Sequence, residues 1–282
     1  MHANPEPRTA RLEELGLISV AGVDARAFLH SQLTCDVEHL APQRAAYGGW
    51  CSAKGRLLAT LLIVPYAEGF LLQLSRDLAE PVRQRLQKFV LRAKVRLEDA
   101  SDAWAQFGVW RPGPPPLPLD VEPGEKRIAV RIDAERVLLI SQDPVSASHG
   151  AAPWMLAEIC AGRPRVTLAT QDQFVPQMLN EEMLGAVDFH KGCYPGQEVV
   201  ARAQYRGQLK RRMYRVRASI PLRVGQDLFS DDAPGQPSGS VVNAADGEAL
   251  AVLPIAAAEN KVPVRAAPGA SPLEILPLPY SP

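Results

Sequence analysis

The chain is short of cysteine and of aromatic residues, and neither sign of charge is in excess. Only four Cys occur in 282 residues, Cys35, Cys51, Cys160 and Cys193. They form no C-x-x-C pair and have no adjacent His at metal-ligand spacing, so neither a structural zinc site nor a disulfide framework is expected, and no residue is assigned to a metal. Lys+Arg and Asp+Glu both number 31, which gives a formal net charge of zero and excludes a histone-like or acidic-tail protein. Any nucleic-acid surface must therefore be local. The longest apolar run, Leu57 to Pro65, falls far short of the roughly 20 residues that cross a bilayer. The N-terminal stretch MHANPEPRTARLEEL lacks the apolar region of a secretory signal. A Walker loop and a G-x-G-x-x-G turn are both missing, which argues against nucleotide-binding enzymes of those kinds. A soluble protein of a reducing cytoplasm, with no membrane partner, is the expectation.

With 46% hydrophobic residues, a chain of this length buries a sizeable core, enough for roughly two domains. Pro is frequent, 26 residues, and clusters from Arg111 to Leu119, a stretch that cannot continue a helix or central strand and reads as a connector. Before it, Asp24 is placed to cap a helix through Phe28, Leu29 and Leu33. Leu57–Val64 and Phe70–Leu74 read as strands, the first buried on both faces. Val82, Leu86, Phe89 and Val90 recur at helical spacing. After the connector, Arg127–Ile132 and Arg136–Ile140 read as a hairpin, and Trp154–Ile159 as a helix. From about Tyr214 short strands dominate, with an Asp246-Gly247 turn between Gly239–Asn243 and Ala249–Leu253. The class is α+β closed by a small β-barrel.

One stretch, Asp188 to Gly207, concentrates a thiol, an amine, an amide, a carboxylate and guanidinium groups around two glycines and a proline. Gly192, Pro195 and Gly196 imply a tight turn at which backbone N–H groups approach a ligand. Val199, Val200 and Ala203 fit the buried side of a following helix. Cys193 then sits ahead of a helix N-terminus and two residues from the Lys191 ammonium, both of which favour the thiolate. A lone Cys is more often a small core hydrophobe, but the flanking polar density favours an exposed, reactive Cys193. Cys35, Cys51 and Cys160 have ordinary neighbours and read as core. Of the five His, only His190, beside Lys191, merits a test. From Lys191 to Arg217 there are eight Lys/Arg against Glu198 alone, a local +7. Arg202, Arg206 and Lys210 recur every four residues and would form a basic stripe if the helix persisted, able to hold phosphates, a polyglutamate tail or RNA.

Lys191-Gly-Cys-Tyr-Pro-Gly-Gln-Glu198, followed by Ala201-Arg202 and Tyr205-Arg206-Gly207, closely resembles the signature of the YgfZ-type folate-binding proteins, relatives of the T-protein (aminomethyltransferase) of the glycine cleavage system. Flanking matches at Val20–Asp24, Gln32–Asp36, Cys51–Arg56, Phe174–Asn180 and Leu276–Tyr280 spread the resemblance over nearly the whole chain. It implies a T-protein-like fold over residues 8–213, two interwoven α+β units around a folate site, and a C-terminal β-barrel over 214–282. It implies tetrahydrofolate or a derivative as cofactor, with iron–sulfur client or assembly proteins as partners, a role in tRNA methylthiolation, and direct tRNA binding as a weaker inference. The family's key thiol maps to Cys193 and its lysine to Lys191. Trp154 maps to an aromatic associated with folate, and a second such aromatic is replaced by Leu15. Tyr194, Gln197, Glu198, Arg202, Tyr205 and Arg206 complete the expected folate-binding set. The Asp pair of the T-protein aligns with Ala59 and Thr60, neither of which can act as a base or stabilise an iminium cation. That difference leaves open whether the chain is an enzyme. The alternatives are a folate-dependent aminomethyltransferase and a non-catalytic scaffold.

Overall fold

A computed structural model of the chain describes residues 8–110, 119–207, 209–233, 235–267 and 269–281. Apart from Leu119, the predicted Pro-rich connector lies outside the described residues. The chain forms two compact units and passes between them several times. The first comprises Met1–His30, Val37–Tyr47 and Leu61–Trp154, the second Ser31–Asp36, Gly48–Thr60 and Met155–Pro282.

In chain order the elements are β1 (Arg8–Arg11), β2 (Leu15–Ala21), α1 (Ala25–Gln32), β3 (Ala46–Cys51), β4 (Leu57–Tyr66), β5 (Gly69–Ser75), α2 (Arg76–Gln87), β6 (Arg96–Asp99), β7 (Ala105–Trp110), β8 (Val121–Glu122), β9 (Arg127–Arg131) and β10 (Arg136–Ser141). Then follow α3 (Ala152–Cys160), a 3₁₀ turn (Pro176–Leu179), α4 (Gln197–Tyr205), β11 (Arg211–Arg217), β12 (Asp227–Ser230), β13 (Pro237–Ala245), β14 (Glu248–Pro254), α5 (Ile255–Glu259), β15 (Val264–Arg265) and β16 (Glu274–Leu276).

The first unit holds an antiparallel sheet ordered β1-β7-β10-β9-β8. In its second sheet the latter half of β4 pairs with β5, β5 with β2 and β2 with β6. A core including Leu17, Val64, Leu71, Trp104, Ile140 and Trp154 joins these strands. β4 is apolar without alternation, as predicted, and nine of its ten residues are buried. The predicted hairpin at Asp133-Ala-Glu135 forms because the Asp133 carboxylate accepts the backbone N–H groups of Glu135 and Arg136, at 3.1 and 2.9 Å.

Asp24 stands at the start of α1, its carbonyl accepting the Phe28 N–H at 2.9 Å, and its carboxylate accepts the backbone N–H of Lys94 at 2.7 Å. One local expectation fails here. The second predicted helix ends at Gln87, short of Phe89 and Val90. Its last turn tightens into i→i+3 hydrogen bonds, Phe89 N–H to Leu86 and Val90 N–H to Gln87, which unwind the helix.

The second unit ends in a six-stranded antiparallel sheet ordered β15-β12-β13-β14-β11-β16, curled as a half-barrel. Val216, Leu228, Val241, Ala251 and Leu253 are buried together in its core. The β13–β14 turn is the predicted Asp246-Gly247, with φ of 51° and 80°. Positive φ at both central residues is what a two-residue type I′ hairpin requires. Among the described residues no helix is long and apolar enough to cross a membrane.

Candidate functional site

The segment from Asp188 to Gly196 is held by its own polar atoms and by the floor of the second unit. Asp188 Oδ1 accepts the backbone N–H of His190 at 2.7 Å and of Lys191 at 3.2 Å, closing a side-chain-mediated turn. The Asp188 N–H donates to Thr34 O at 2.9 Å. Thr34, itself buried, donates its hydroxyl to Ala186 O and accepts the Gly49 N–H. Lys191 reaches inward: Nζ donates to Leu33 O at 2.6 Å and stands 5.2 Å from the centroid of the Tyr194 ring. Burial lowers the pKa of this ammonium, opposed by Cys35, Asp36 and Asp188. Gln197 closes the loop, its side-chain amide donating to Lys191 O at 3.5 Å.

Gly196 ends the loop and starts α4, with φ of 80°. A Cβ there would lie 2.4 Å from Ser52 O and 2.6 Å from Gly55 Cα. This glycine thus serves backbone-to-backbone packing between the Lys191–Glu198 and Cys51–Arg56 segments. Val200 is fully buried on α4, whereas Val199, predicted to face the core, is 38% exposed.

Cys193 lies exposed on this loop, while Cys35 and Cys51 are buried beneath it. Burial pushes the Cys35 thiol up to about 12 although the Lys191 charge opposes it, and burial likewise raises Cys51. Glu181, 3% exposed, belongs to the same interior. Desolvation, with a smaller contribution from Glu182, pushes its carboxyl up to about 8. The Tyr194 hydroxyl is buried without a hydrogen-bond partner among the described residues, and burial raises its pKa. The interior under the Cys193 loop therefore offers a largely neutral carboxyl, two protonated thiols and an unsatisfied phenol. Among the described residues no group of three or more His, Cys, Asp or Glu is arranged to hold a metal ion.

Of the nine predicted site residues, eight (Lys191, Cys193, Tyr194, Gln197, Glu198, Arg202, Tyr205 and Arg206) share this loop and α4. Glu198 pairs with Arg202 at 3.0 Å on the solvent side. Tyr205 is 66% exposed and meets Phe189 edge-to-face at 5.8 Å. Trp154 belongs to the first unit. It is 3% exposed, stacks edge-on with Trp110 at 5.6 Å and lies under the Arg136 guanidinium at 5.0 Å. Leu15 is buried in the same core.

The predicted basic stripe does not form. α4 stops at Tyr205, and Arg206 leaves helical geometry with φ of −136°. At least four of the eight cations between Lys191 and Arg217 meet carboxylates: Arg202 with Glu198, Arg212 with Glu182, Arg215 with Glu248, and Arg217 with Glu248 and Glu274. Three of those acids, Glu182, Glu248 and Glu274, lie outside the interval that gave +7. Ala59 is buried, and the Thr60 hydroxyl accepts the Val166 N–H at 3.0 Å, so both positions serve packing.

Sequence reasoning missed Glu181 and Thr34. The available signal was their position within flanking segments that resemble the family, Phe174–Asn180 running into Glu181, and Gln32–Asp36.

A family model described as the GCVT N-terminal domain matches residues 11–115. The tRNA-modifying protein YgfZ of Vibrio vulnificus is 33% identical over 235 residues, covering 77% of this chain and 72% of that protein. The protein of the same name from Sodalis glossinidius is 30% identical over 242 residues, covering 77% and 74%. Among solved structures, the glycine cleavage system aminomethyltransferase T from Bartonella henselae superposes with a TM-score of 0.66 at 17% identity, over 89% of this chain and 79% of that one, which shows a shared fold.

Proposed function

Because the chain belongs to the YgfZ family, whose members from Vibrio vulnificus and Sodalis glossinidius are named tRNA-modifying proteins, we propose that it is a cytoplasmic tetrahydrofolate-binding protein. In this reading it supports the assembly or repair of iron–sulfur enzymes, including one that modifies tRNA. The observation that carries the reading is the exposed Cys193 thiol on a loop fixed from below by Lys191, Tyr194 and Gly196.

The loop gives the thiol solvent access, one requirement of a reactive cysteine, and Lys191 lies two residues away in the chain. Cys193 would act as the reactive thiol towards a sulfur, iron or one-carbon species brought by the client. The interior groups suit a reduced pterin. Its ring presents donors and acceptors side by side, and the unsatisfied Tyr194 hydroxyl and the largely protonated Glu181 carboxyl offer complementary partners. Gln197 and Glu198 would hold the loop or the ligand by hydrogen bonds, and Arg202, Tyr205 and Arg206 would flank it. Aminomethyl transfer is disfavoured because Ala59 and Thr60 provide no carboxylate where the T-protein has its Asp pair.

Cys193→Ser and Cys193→Ala should both lose most of the ability to restore iron–sulfur enzyme activity in cells lacking the native gene. Full complementation by both would remove the thiol from the mechanism. Calorimetric titration with a reduced folate tests the cofactor directly, and the absence of both heat and thermal protection would count against it.

A further inference from the structure

In the folate reading Arg202, Tyr205 and Arg206 only flank the ligand, and that role does not use the solvent-facing side of this end of α4. Arg202 and Tyr205 lie one turn apart on the side of α4 away from the buried Val200. The edge-to-face contact with Phe189 fixes the plane of the Tyr205 ring while leaving 66% of the residue in solvent. Phe189 belongs to the loop that carries His190 and Cys193, both exposed. Past the helix end, Arg206, Lys210 and Arg211 are all exposed on the connection into β11. An oriented, solvent-facing aromatic ring, followed in the chain by three exposed cations, thus borders the Cys193 loop.

We propose that this face binds single-stranded RNA, one unpaired base stacking on Tyr205 while Arg206, Lys210 and Arg211 neutralise neighbouring phosphates. The inference rests on the tRNA-modification part of the reading above and names the surface that would contact the RNA. A ring with a free face flanked by cations is the arrangement that binds single strands, where stacking supplies affinity and charge tracks the backbone. A paired stem offers no unstacked base to the ring. A protein partner is less well matched, because the centre of a protein interface is depleted of charge, whereas Arg206, Lys210 and Arg211 leave this end of α4 exposed and basic. A polyglutamate tail would use the cations but not the ring.

Fluorescence anisotropy with a labelled oligouridylate of about 12 nucleotides tests this, since single-strand sites span roughly 4–16 nucleotides. Tyr205→Ala should weaken binding about tenfold or more, while Tyr205→Phe stays within about twofold. Arg206→Gln should reduce the slope of log affinity against log salt by about 0.7. Unchanged melting of Tyr205→Ala, which removes an exposed ring, separates lost stacking from lost folding. Three results would each overturn the inference: wild-type affinity in Tyr205→Ala, equal binding of an RNA duplex of the same length, or no wild-type binding at about 100 µM protein in about 50 mM salt. RNA binding is also measured in Cys193→Ala and without folate. Persistence there keeps the surface even if the thiol and folate assignments fail, and loss of RNA binding alone leaves those assignments standing.

Discussion

Glu181 carries its carboxyl into the interior, where desolvation pushes its pKa up to about 8 and makes stability depend on pH. In the unfolded chain the same group titrates near about 4.3. Between these values the folded protein binds the proton and the unfolded chain does not, so stability falls as pH rises from about 4.5 to about 8 and the full cost is present above that. Glu181→Gln keeps the shape and removes the titration. Urea unfolding at about pH 5.5 and about pH 8.5 should show the wild type losing a few kcal/mol more than the variant across this interval. Parallel behaviour of the two proteins would mean that Glu181 is ionised in the fold. This residue was not legible in the sequence, because its burial depends on Cys35 and Cys51, well over a hundred positions away. The contrast among the cysteines was legible. Gly, Lys, Gln and Glu flank the exposed Cys193, while Cys35 and Cys51 lie beside Leu33 and Trp50, which are buried with them.

Among the elements, α4 shows where local reasoning holds and where it stops. Its start was readable, since Pro195-Gly196 cannot continue a strand and Val200 supplies a buried contact. The reason for Gly196 was not, because the backbone it touches belongs to the Cys51–Arg56 segment. Gly196→Ala combines a left-handed φ with a Cβ 2.4 Å from Ser52 O. Destabilisation of at least about 2 kcal/mol is expected, measured as a drop in urea midpoint with little change in m-value. A neutral effect would mean that the two segments are not packed this closely. The β13–β14 hairpin is the opposite case: Asp246-Gly247 determines its turn locally, and the strands follow on either side. The failed basic stripe lies between these extremes. Spacing of four residues is informative only while the helix lasts, and α4 ends before Arg206.

Over the whole molecule, the 31 cations and 31 acids that sum to zero are not evenly mixed along the chain, and long-range pairs offset the local excess of charge. The +7 interval is met by carboxylates that the fold imports, most closely at Arg212. Its guanidinium lies 2.8 Å from Glu182 Oε1 and 3.0 Å from Asn180 Oδ1, tying β11 to the segment that also carries Glu181. The Glu182 side chain is only 8% exposed, and its second oxygen has no hydrogen-bond partner among the described residues. Removing Arg212 leaves this carboxylate buried and uncompensated, which typically costs about 3–5 kcal/mol, although the intact pair contributes little beyond its own desolvation. Arg212→Met should therefore be strongly destabilising on its own. Arg212→Met combined with Glu182→Met should recover most of the loss, because two apolar side chains can occupy the space of the pair. A double variant no more stable than Arg212→Met would locate the energy in packing by the Arg212 stem and its bond to Asn180 instead.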